Sequence, residues 1–513
     1  MVELLITAAC VVAGALAAIR WLRIVQRDQY YPAAARFARR WWLGLPLNVA
    51  LLAVAAGGAL LAPITPWAAL LTAGAVAVGP LGLGLRGRTA ALAWSRRLIR
   101  LAVVLGLVNA LLAAVVAGLG IVLGLEPLHA LVVAAAGLAL LQPPIVDLAG
   151  AISRPIEARL MGVFVERATR RLAQVSPTVV AITGSYGKTS TKGYARQLVA
   201  PVRTVVASPA SFNNTGGLAR AINEHLLPGT DVFIAEMGTY GRGEIRELCR
   251  WIKPDVAVIT AIGPVHLERM GSLDEIVRAK SEVLERARTC VLNVDAHGLA
   301  ALADGLGPDV VVWRCSESDP AADVHAAFDD AATLRVSVHG REIAALPASG
   351  AQPINVACAV AVALALDVPD TTIVEQLPGL ASAEHRLQVA SSTNGATVID
   401  DTYNSNPAGS RAALAALLRL PAERRAVVTP GMIELGSEQA SENEAFARAV
   451  AESVDDLLVV NRTNAPALLR GAQGGRAQVH VFDRREQAVD WVRSNLGPGD
   501  AVLYENDLPD TYP

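Results

Sequence analysis

Two hydrophobic patterns divide this chain. Over the first 150 residues apolar positions run on without a period, in stretches 2–19, 42–62, 64–85, 101–124 and 128–150 that hold almost no charge. A helix needs about 20 apolar residues to cross a hydrocarbon core of about 30 Å, so the five stretches predict an α-helical membrane domain of about five helices over 1–150. A cleaved signal peptide fits the first stretch poorly. It has no basic segment at its start, only Glu3, and its flanking positive charge follows it.

Loop charge orients these helices. Arg20, Arg23, Arg27, Arg36, Arg39 and Arg40 fall between the first and second stretches, and Arg86, Arg88, Arg96, Arg97 and Arg100 between the third and fourth. The other two connections carry no basic residue. Arginine-rich loops stay in the cytoplasm, which puts the N-terminus outside. Five crossings of the plasma membrane then leave everything after residue 150 in the cytoplasm. Gly79-Pro80 interrupts the third stretch, so four or six crossings are the alternatives.

From 151 to 175 apolar residues (Ile156, Leu160, Val163, Phe164) mix with Arg159, Arg167, Arg170 and Arg171. This predicts an amphipathic connecting helix, lying on anionic lipid or serving as a plain linker. Beyond it, short apolar runs alternate with helical periodicity, the mark of an α/β fold with helices on both faces of a sheet. Runs at 179–182, 231–237, 256–260, 290–294 and 310–313 predict a parallel sheet in a central domain over 176–386. Runs at 397–400, 425–429, 456–460 and 501–504, with helices at 410–420 and 442–453, predict a second doubly wound α/β domain over 387–513. Residues 272–288 form an amphipathic helix that starts at the capping box Ser272–Glu275. Lys280 falls on its apolar face with Ile276, Val277, Val283 and Leu284. Either its stem carries the amine out to water, or the amine is put to use.

The stretch TVVAITGSYGKTSTK, from Thr178 to Lys192, supplies the chemistry. A buried strand leads through Gly184 and Gly187 into a helix that opens with Lys188 and Thr189. Backbone amides and the helix dipole face phosphate there, the lysine reaches it, and the threonine hydroxyl holds magnesium. The strict phosphate-loop pattern is not met, because Ile182 stands where its first glycine belongs. Ligands of such sheets bind at the carboxyl ends of strands, where Glu236 and His266 also fall.

Composition sharpens this picture. Hydrophobic residues make up 53% and mean hydropathy is +0.39, an excess concentrated in the first 150 residues. A net charge of -2 gives no footprint for nucleic acid. The five scattered cysteines exclude a disulfide framework and a structural zinc site. Only four of the 45 basic residues are lysines, at 188, 192, 253 and 280. Where arginine is the default cation, a lysine marks a position that needs a compact primary amine, although Lys192 and Lys253 also read as incidental.

ITGSYGKTSTK from Ile182, AEMG from Ala235, HLERMGSLDEIVRAKSEV from His266, NVD from Asn293, INVACAVAVALAL from Ile354, EHRL from Glu384 and DDTYNSNPAGS from Asp400 together resemble the Mur ligases and their folylpolyglutamate synthetase relatives. The resemblance covers about 178–505. DDTYNSNP and GMIELG, from Gly431, are most similar to the branch that adds D-alanyl-D-alanine. It implies ATP-dependent amide formation through an acyl phosphate, a MurF-like step in cell-wall precursor synthesis.

Gly184, Ser185, Gly187 and Lys188 would hold the phosphates, and Thr189 with Glu236 one magnesium ion. His266 would hold a second magnesium together with Lys280 carrying a carbamate. Asn355 would contact adenine, and Arg386 and Asp401 would close on the phosphates and ribose. Asn213 and Asn214 would line the acceptor side. Tyr403 and Asn404 would position the amine or simply hold their loop.

The implied partners are a carboxylate acceptor, soluble or a lipid-linked wall precursor, an amino acid or dipeptide amine, and other membrane proteins of wall synthesis. Two departures stand out. The family's UDP-gripping N-terminal domain has no counterpart, and Gly431 and Tyr504-Glu505-Asn506 replace an aspartate and a Lys-Gly-Ser of the D-alanyl-D-alanine-adding enzymes. The alternatives are a membrane-anchored ligase for another polymer, such as poly-γ-glutamate, and an inactive Mur-like scaffold.

Overall fold

The computed structural model describes residues 1–28, 30, 33–86, 92–209, 212–331, 333–347, 351–380, 388–392, 394–402 and 406–508. Two compact units divide the chain, Met1–Leu160 together with Leu508, and Met161–Asp507.

In the first unit, Val2–Arg27 is the central helix, burying Ile6, Cys10, Ala13, Ala17, Trp21 and Ile24 at helical spacing. The expected five long spans are corrected. Val2–Arg27 and Arg96–Val122 alone are long and apolar enough to cross a membrane as single helices, among the described residues. Two bent pairs, Ala34–Leu43 with Pro46–Leu61 (114°) and Pro127–Leu140 with Gln142–Val175 (80°), raise the number to four at most. Stretch 64–85 yields only a short 3-10 turn and the helix Ala69–Val78. Pro80, which has no amide hydrogen to donate, follows its end. Its last carbonyls are taken instead by Arg20, which donates to Val76 O (3.0 Å) and Ala77 O (2.5 Å). Arg23 donates to Gly84 O at 2.6 Å. Along Arg96–Val122, Val103, Leu107, Leu111, Val115, Leu119 and Val122 form an exposed apolar stripe.

A single helix runs through the expected boundary at 150. Gln142–Val175 is one helix of 34 residues, and the units divide after Leu160. Arg100 holds Glu157 through two hydrogen bonds of 2.6 and 2.8 Å. That pair ties the first part of the expected connecting helix to the first unit.

In the second unit, nine strands among the described residues form one sheet: β1 (Thr178–Thr183), β2 (Val205–Ala207), β3 (Val232–Glu236), β4 (Val256–Ile259), β5 (Thr289–Asn293), β6 (Val311–Ser316), β7 (Val324–Phe328), β8 (Thr333–Val338) and β9 (Arg341–Pro347). Their order is β2-β3-β1-β4-β5-β6-β7-β8-β9. Pairing is parallel from β2 to β7 and antiparallel from β7 to β9. The antiparallel extension departs from the all-parallel expectation. Strand residues alternate between two cores: Val180, Ile182, Ile234 and Val258 on one face, Val179, Ala181, Phe233 and Ile259 on the other. Helices Lys188–Val199 and Pro353–Ala365 cover the first face, and Thr215–His225 and Glu244–Ile252 the second.

A second sheet follows: β10 (Gln388–Ser391), β11 (Thr397–Asp401), β12 (Arg425–Thr429), β13 (Asp456–Val460), β14 (Gln478–Phe482) and β15 (Ala501–Glu505), in the order β10-β11-β15-β12-β13-β14. It is parallel except where β10 meets β11. Val427 and Leu503 face one core, and Val428 and Val502 the other, so this sheet too is covered on both faces.

Candidate active site

The turn after β1 is shaped by what surrounds it. A Cβ on Gly184 would run into Thr260 Oγ1, and one on Gly187 into Asn355 Oδ1. Gly187 also has φ 82°, the left-handed region that favours glycine. Ser185 braces the turn from inside, donating to Gly263 O at 3.1 Å and accepting from Gly263 N at 3.0 Å. Thr260 Oγ1 donates to Tyr186 O at 2.5 Å. The helix Lys188–Val199 begins without a side-chain cap, so its first amides have no side-chain acceptor and suit an anion. Lys188 Nζ arches back over the loop to Gly184 O (2.6 Å) and Ser185 O (3.3 Å).

Glu236, at the carboxyl end of β3, is the centre of the site and 3% exposed. Its Oε2 accepts from Thr189 Oγ1 at 3.0 Å and from Lys192 Nζ at 2.8 Å. Asn213 Nδ2 lies 3.5 Å from Oε1. Burial alone would raise the Glu236 pKa, but the charges of Lys192 and Lys188 outweigh it and hold the carboxyl below its usual range. Lys192 is the residue that sequence reasoning passed over. Its signal was there, a lysine one helical turn after Lys188 in a lysine-poor chain.

His266 has φ 64° and precedes the short helix Leu267–Met270. Its Nδ1 lies 2.5 Å from Glu434 Oε2, and the Tyr240 ring meets it edge-on at 4.7 Å. Burial lowers the His266 pKa, and the positive charges of Lys280 and Lys188 add to that against the Glu434 carboxylate. The expected helix at 272–288 runs as Leu273–Ser281 and then a 3-10 segment, with Ser272 Oγ accepting from Glu275 N at 3.2 Å. Lys280 does not reach out to water, being 3% exposed. Its amine makes neither a hydrogen bond nor an ion pair among the described residues. Burial, and then the charge of Lys188, push its pKa well below the ordinary lysine value.

The remaining expectations divide. Asn355 is buried under the loop against Gly187, with Thr191 Oγ1 3.4 Å from its Oδ1 and its Nδ2 donating to Gln352 Oε1 at 3.2 Å. Asn214 caps the helix Thr215–His225. Asp401 ends β11 beside Glu505 at the end of β15. Glu505 accepts from Ser410 Oγ at 2.7 Å and from Thr429 Oγ1, and complete burial pushes its pKa up to about 7. Arg386, Tyr403 and Asn404 lie outside the described residues.

No three His, Cys, Asp or Glu side chains converge on a metal position among the described residues. Magnesium is commonly held through one or two protein oxygens, with phosphates and water completing its shell. Thr189 and Glu236 fit that pattern. His266 and Lys280 fit a cation only if Lys280 carries an anionic group.

A phosphate-shaped turn beside a buried, ionised carboxylate defines a nucleotide-using enzyme of the α/β class. Residues 182–363 match the Mur ligase middle domain, and residues 385–504 the Mur ligase, glutamate ligase domain. The UDP-N-acetylmuramoyl-tripeptide–D-alanyl-D-alanine ligase of Mycobacterium tuberculosis is 33% identical over 440 residues, covering 76% of this chain and 82% of the relative. MurF from Acinetobacter baumannii superposes with a TM-score of 0.60 at 26% identity, over 68% of this chain and 77% of its own. MurF from Thermotoga maritima, solved with ADP, shares the fold at 24% identity and a TM-score of 0.58, over 68% and 80%.

The chain belongs to the Mur ligase family. It is an ATP-dependent ligase that forms a peptide bond in cell-wall precursor synthesis.

Proposed function

We propose that this ligase works at the cytoplasmic face of a membrane, joining an amino acid or dipeptide to the carboxylate of a wall precursor that is itself lipid-linked. A carboxylate is a poor acylating agent. Transfer of the ATP γ-phosphoryl group to it releases ADP and leaves an acyl phosphate, which the amine attacks with loss of phosphate. Lys188 and the first amides of its helix bind and orient the phosphates. Glu236, kept ionised by Lys192 and Lys188, and Thr189 hold magnesium, whose charge offsets that of the phosphates. Lys280 is set aside for the carbamate that carbon dioxide forms on a neutral amine, and its burial without a partner supports that reading. The closeness of Thr189, Glu236 and Lys192 at the end of β3, beside Lys188, carries the ATP half of the proposal.

The membrane reading rests on parity. Val2–Arg27 crosses once. Pro46–Leu61 and the short Ala69–Val78 form a hairpin, with Thr72 Oγ1 donating to Ala55 O at 2.7 Å, and as a re-entrant pair it returns to its starting side. Arg96–Val122 crosses out, and the bent pair from Pro127 comes back. Three crossings leave residue 160 on the same side as both arginine loops. The exposed stripe of Arg96–Val122 suits lipid better than water.

A different amine from that of the D-alanyl-D-alanine ligases is favoured by Gly431. It has φ 75°, and a Cβ there would strike Asn443 Oδ1 and Asn464, so the family's aspartate does not fit this loop. The experiment is ADP release from membranes holding the full chain, screened against pairs of soluble or lipid-linked acceptors and amino acids or dipeptides. Stimulation by a lipid-linked acceptor with one amine is expected. Stimulation by soluble UDP-linked acceptors alone removes the lipid-linked reading, and ATP turnover with no stimulation by any pair favours the scaffold.

A further inference from the structure

One side chain in the second sheet's half of this unit is not used by the reaction as described. Glu434, between β12 and the helix Gln439–Ser453, reaches to His266, with Oε2 2.5 Å from Nδ1. Its carbonyl accepts from Glu268 N at 3.3 Å. Gly436 packs so closely on the same turn that a Cβ there would lie 3.2 Å from Glu268 N. Three asparagines clamp the loop from behind. Asn443 accepts from Met432 N at 2.8 Å and donates to Met432 O at 3.0 Å. Asn464 donates to Pro430 O and Met432 O, both at 3.0 Å, and Asn506 donates to Gly431 O at 2.6 Å. Both His266 (φ 64°) and Glu434 (φ 63°) have left-handed backbone, which non-glycine residues adopt uncommonly. Two such residues meeting from different sheets, one on a clamped loop, mark a geometry held for a purpose.

We infer that Glu434 is a positioning residue: by accepting the Nδ1 hydrogen of His266 it fixes the ring's tautomer and leaves Nε2 as the available lone pair, so that His266 is in working order only while the C-terminal half is seated. The inference rests on the part that the family resemblance implies for His266, holding a second magnesium ion together with Lys280. Histidines that bind metals are usually held this way, through the other ring nitrogen. Both side chains of the pair are 24% exposed. An ion pair that wet adds little as cement between two halves, so aiming the ring is its better use.

The test uses the full-length chain with two readouts. The first is the ring nitrogen-15 shifts of His266 without ligand. The second is the magnesium concentration that half-saturates binding of a non-hydrolysable ATP analogue. Wild type and Glu434→Gln, whose amide oxygen still accepts, are expected to show one tautomer with the hydrogen on Nδ1. Glu434→Ala is expected to show a mixture and to raise the magnesium requirement about 10- to 100-fold. In a His266→Ala background Glu434→Ala is expected to add nothing. Unchanged shifts in Glu434→Ala, or two losses that multiply, overturn the positioning role. An unchanged magnesium requirement in His266→Ala overturns the part proposed for His266, and with it this inference.

Discussion

Lys192 Nζ and Glu236 Oε2 are 2.8 Å apart, on side chains only 7% and 4% exposed. The carboxylate proposed to hold magnesium is thus paired with a lysine before any ligand arrives. Breaking a buried ion pair from one side leaves the other charge stranded and costs about 3–5 kcal/mol. Lys188 remains nearby, so Lys192→Met is expected to cost about 3 kcal/mol, the lower end of that range. Adding Glu236→Gln should recover most of that stability, although not ATP binding. Thermal melts of the two variants and their combination check this, and a double variant no more stable than Lys192→Met would refute the pairing argument.

For Lys280 the decisive exchange keeps the charge. Arginine stays protonated and cannot take up carbon dioxide, so Lys280→Arg is expected to abolish amide formation. Lys280→Ala is expected to regain part of it when a small carboxylate such as formate supplies the missing oxygens. ADP release with and without formate reads both, and full activity in the arginine variant removes the carbamate role.

Glu505 gives a stability signature with pH. Its carboxyl stands at about 7 in the folded chain against an ordinary 4.5, so the folded protein binds this proton more tightly than the unfolded chain does. The stability linked to it is fully present below pH 4.5 and is lost as pH rises through 7. Glu505→Gln stays neutral throughout, and its melting temperature is expected to gain on wild type between pH 5 and pH 8. Parallel melting curves for the two proteins across that range would contradict the raised pKa.

Membrane topology has its own check. A reporter active only outside the cytoplasm is expected to be silent when fused after residue 175 and active when fused after Glu126. Activity at residue 175 would reverse the orientation proposed for the catalytic half.

Much of the second unit was legible because its signals are local. The runs at β1, β3, β4, β5, β12 and β13 are short, apolar and bounded by glycine, proline or charge, as buried parallel strands are. Lys188, Thr189 and Glu236 could be named because strand ends and loop glycines advertise themselves in sequence, and the structure brings the three together. The strands β7 to β9 were missed, since in β8 buried Leu334, Val336 and Val338 alternate with the half-buried or exposed Thr333, Arg335 and Ser337, which leaves no continuous apolar run. Lys192 and Glu434 were missed for another reason. Each takes its meaning from a partner far along the chain, 44 and 168 residues away, and local spacing does not name that partner. In the first unit, apolar length overstated helix length. Hydrophobicity says that a stretch avoids water but not where it turns.

Arg20 and Arg23 impose an order on how the first unit is assembled. Their guanidiniums are buried, and the acceptors at Val76, Ala77 and Gly84 are made more than fifty residues later. Until those carbonyls arrive, the first helix carries two charges into apolar surroundings without these partners, a costly state. The helix therefore has a reason to wait in water, or at the lipid headgroups, while the next stretches emerge. Any fragment cut before Val76 would keep the apolar surface and lose the acceptors at Val76, Ala77 and Gly84 that make its burial tolerable, so the early helices stand or fall as a set.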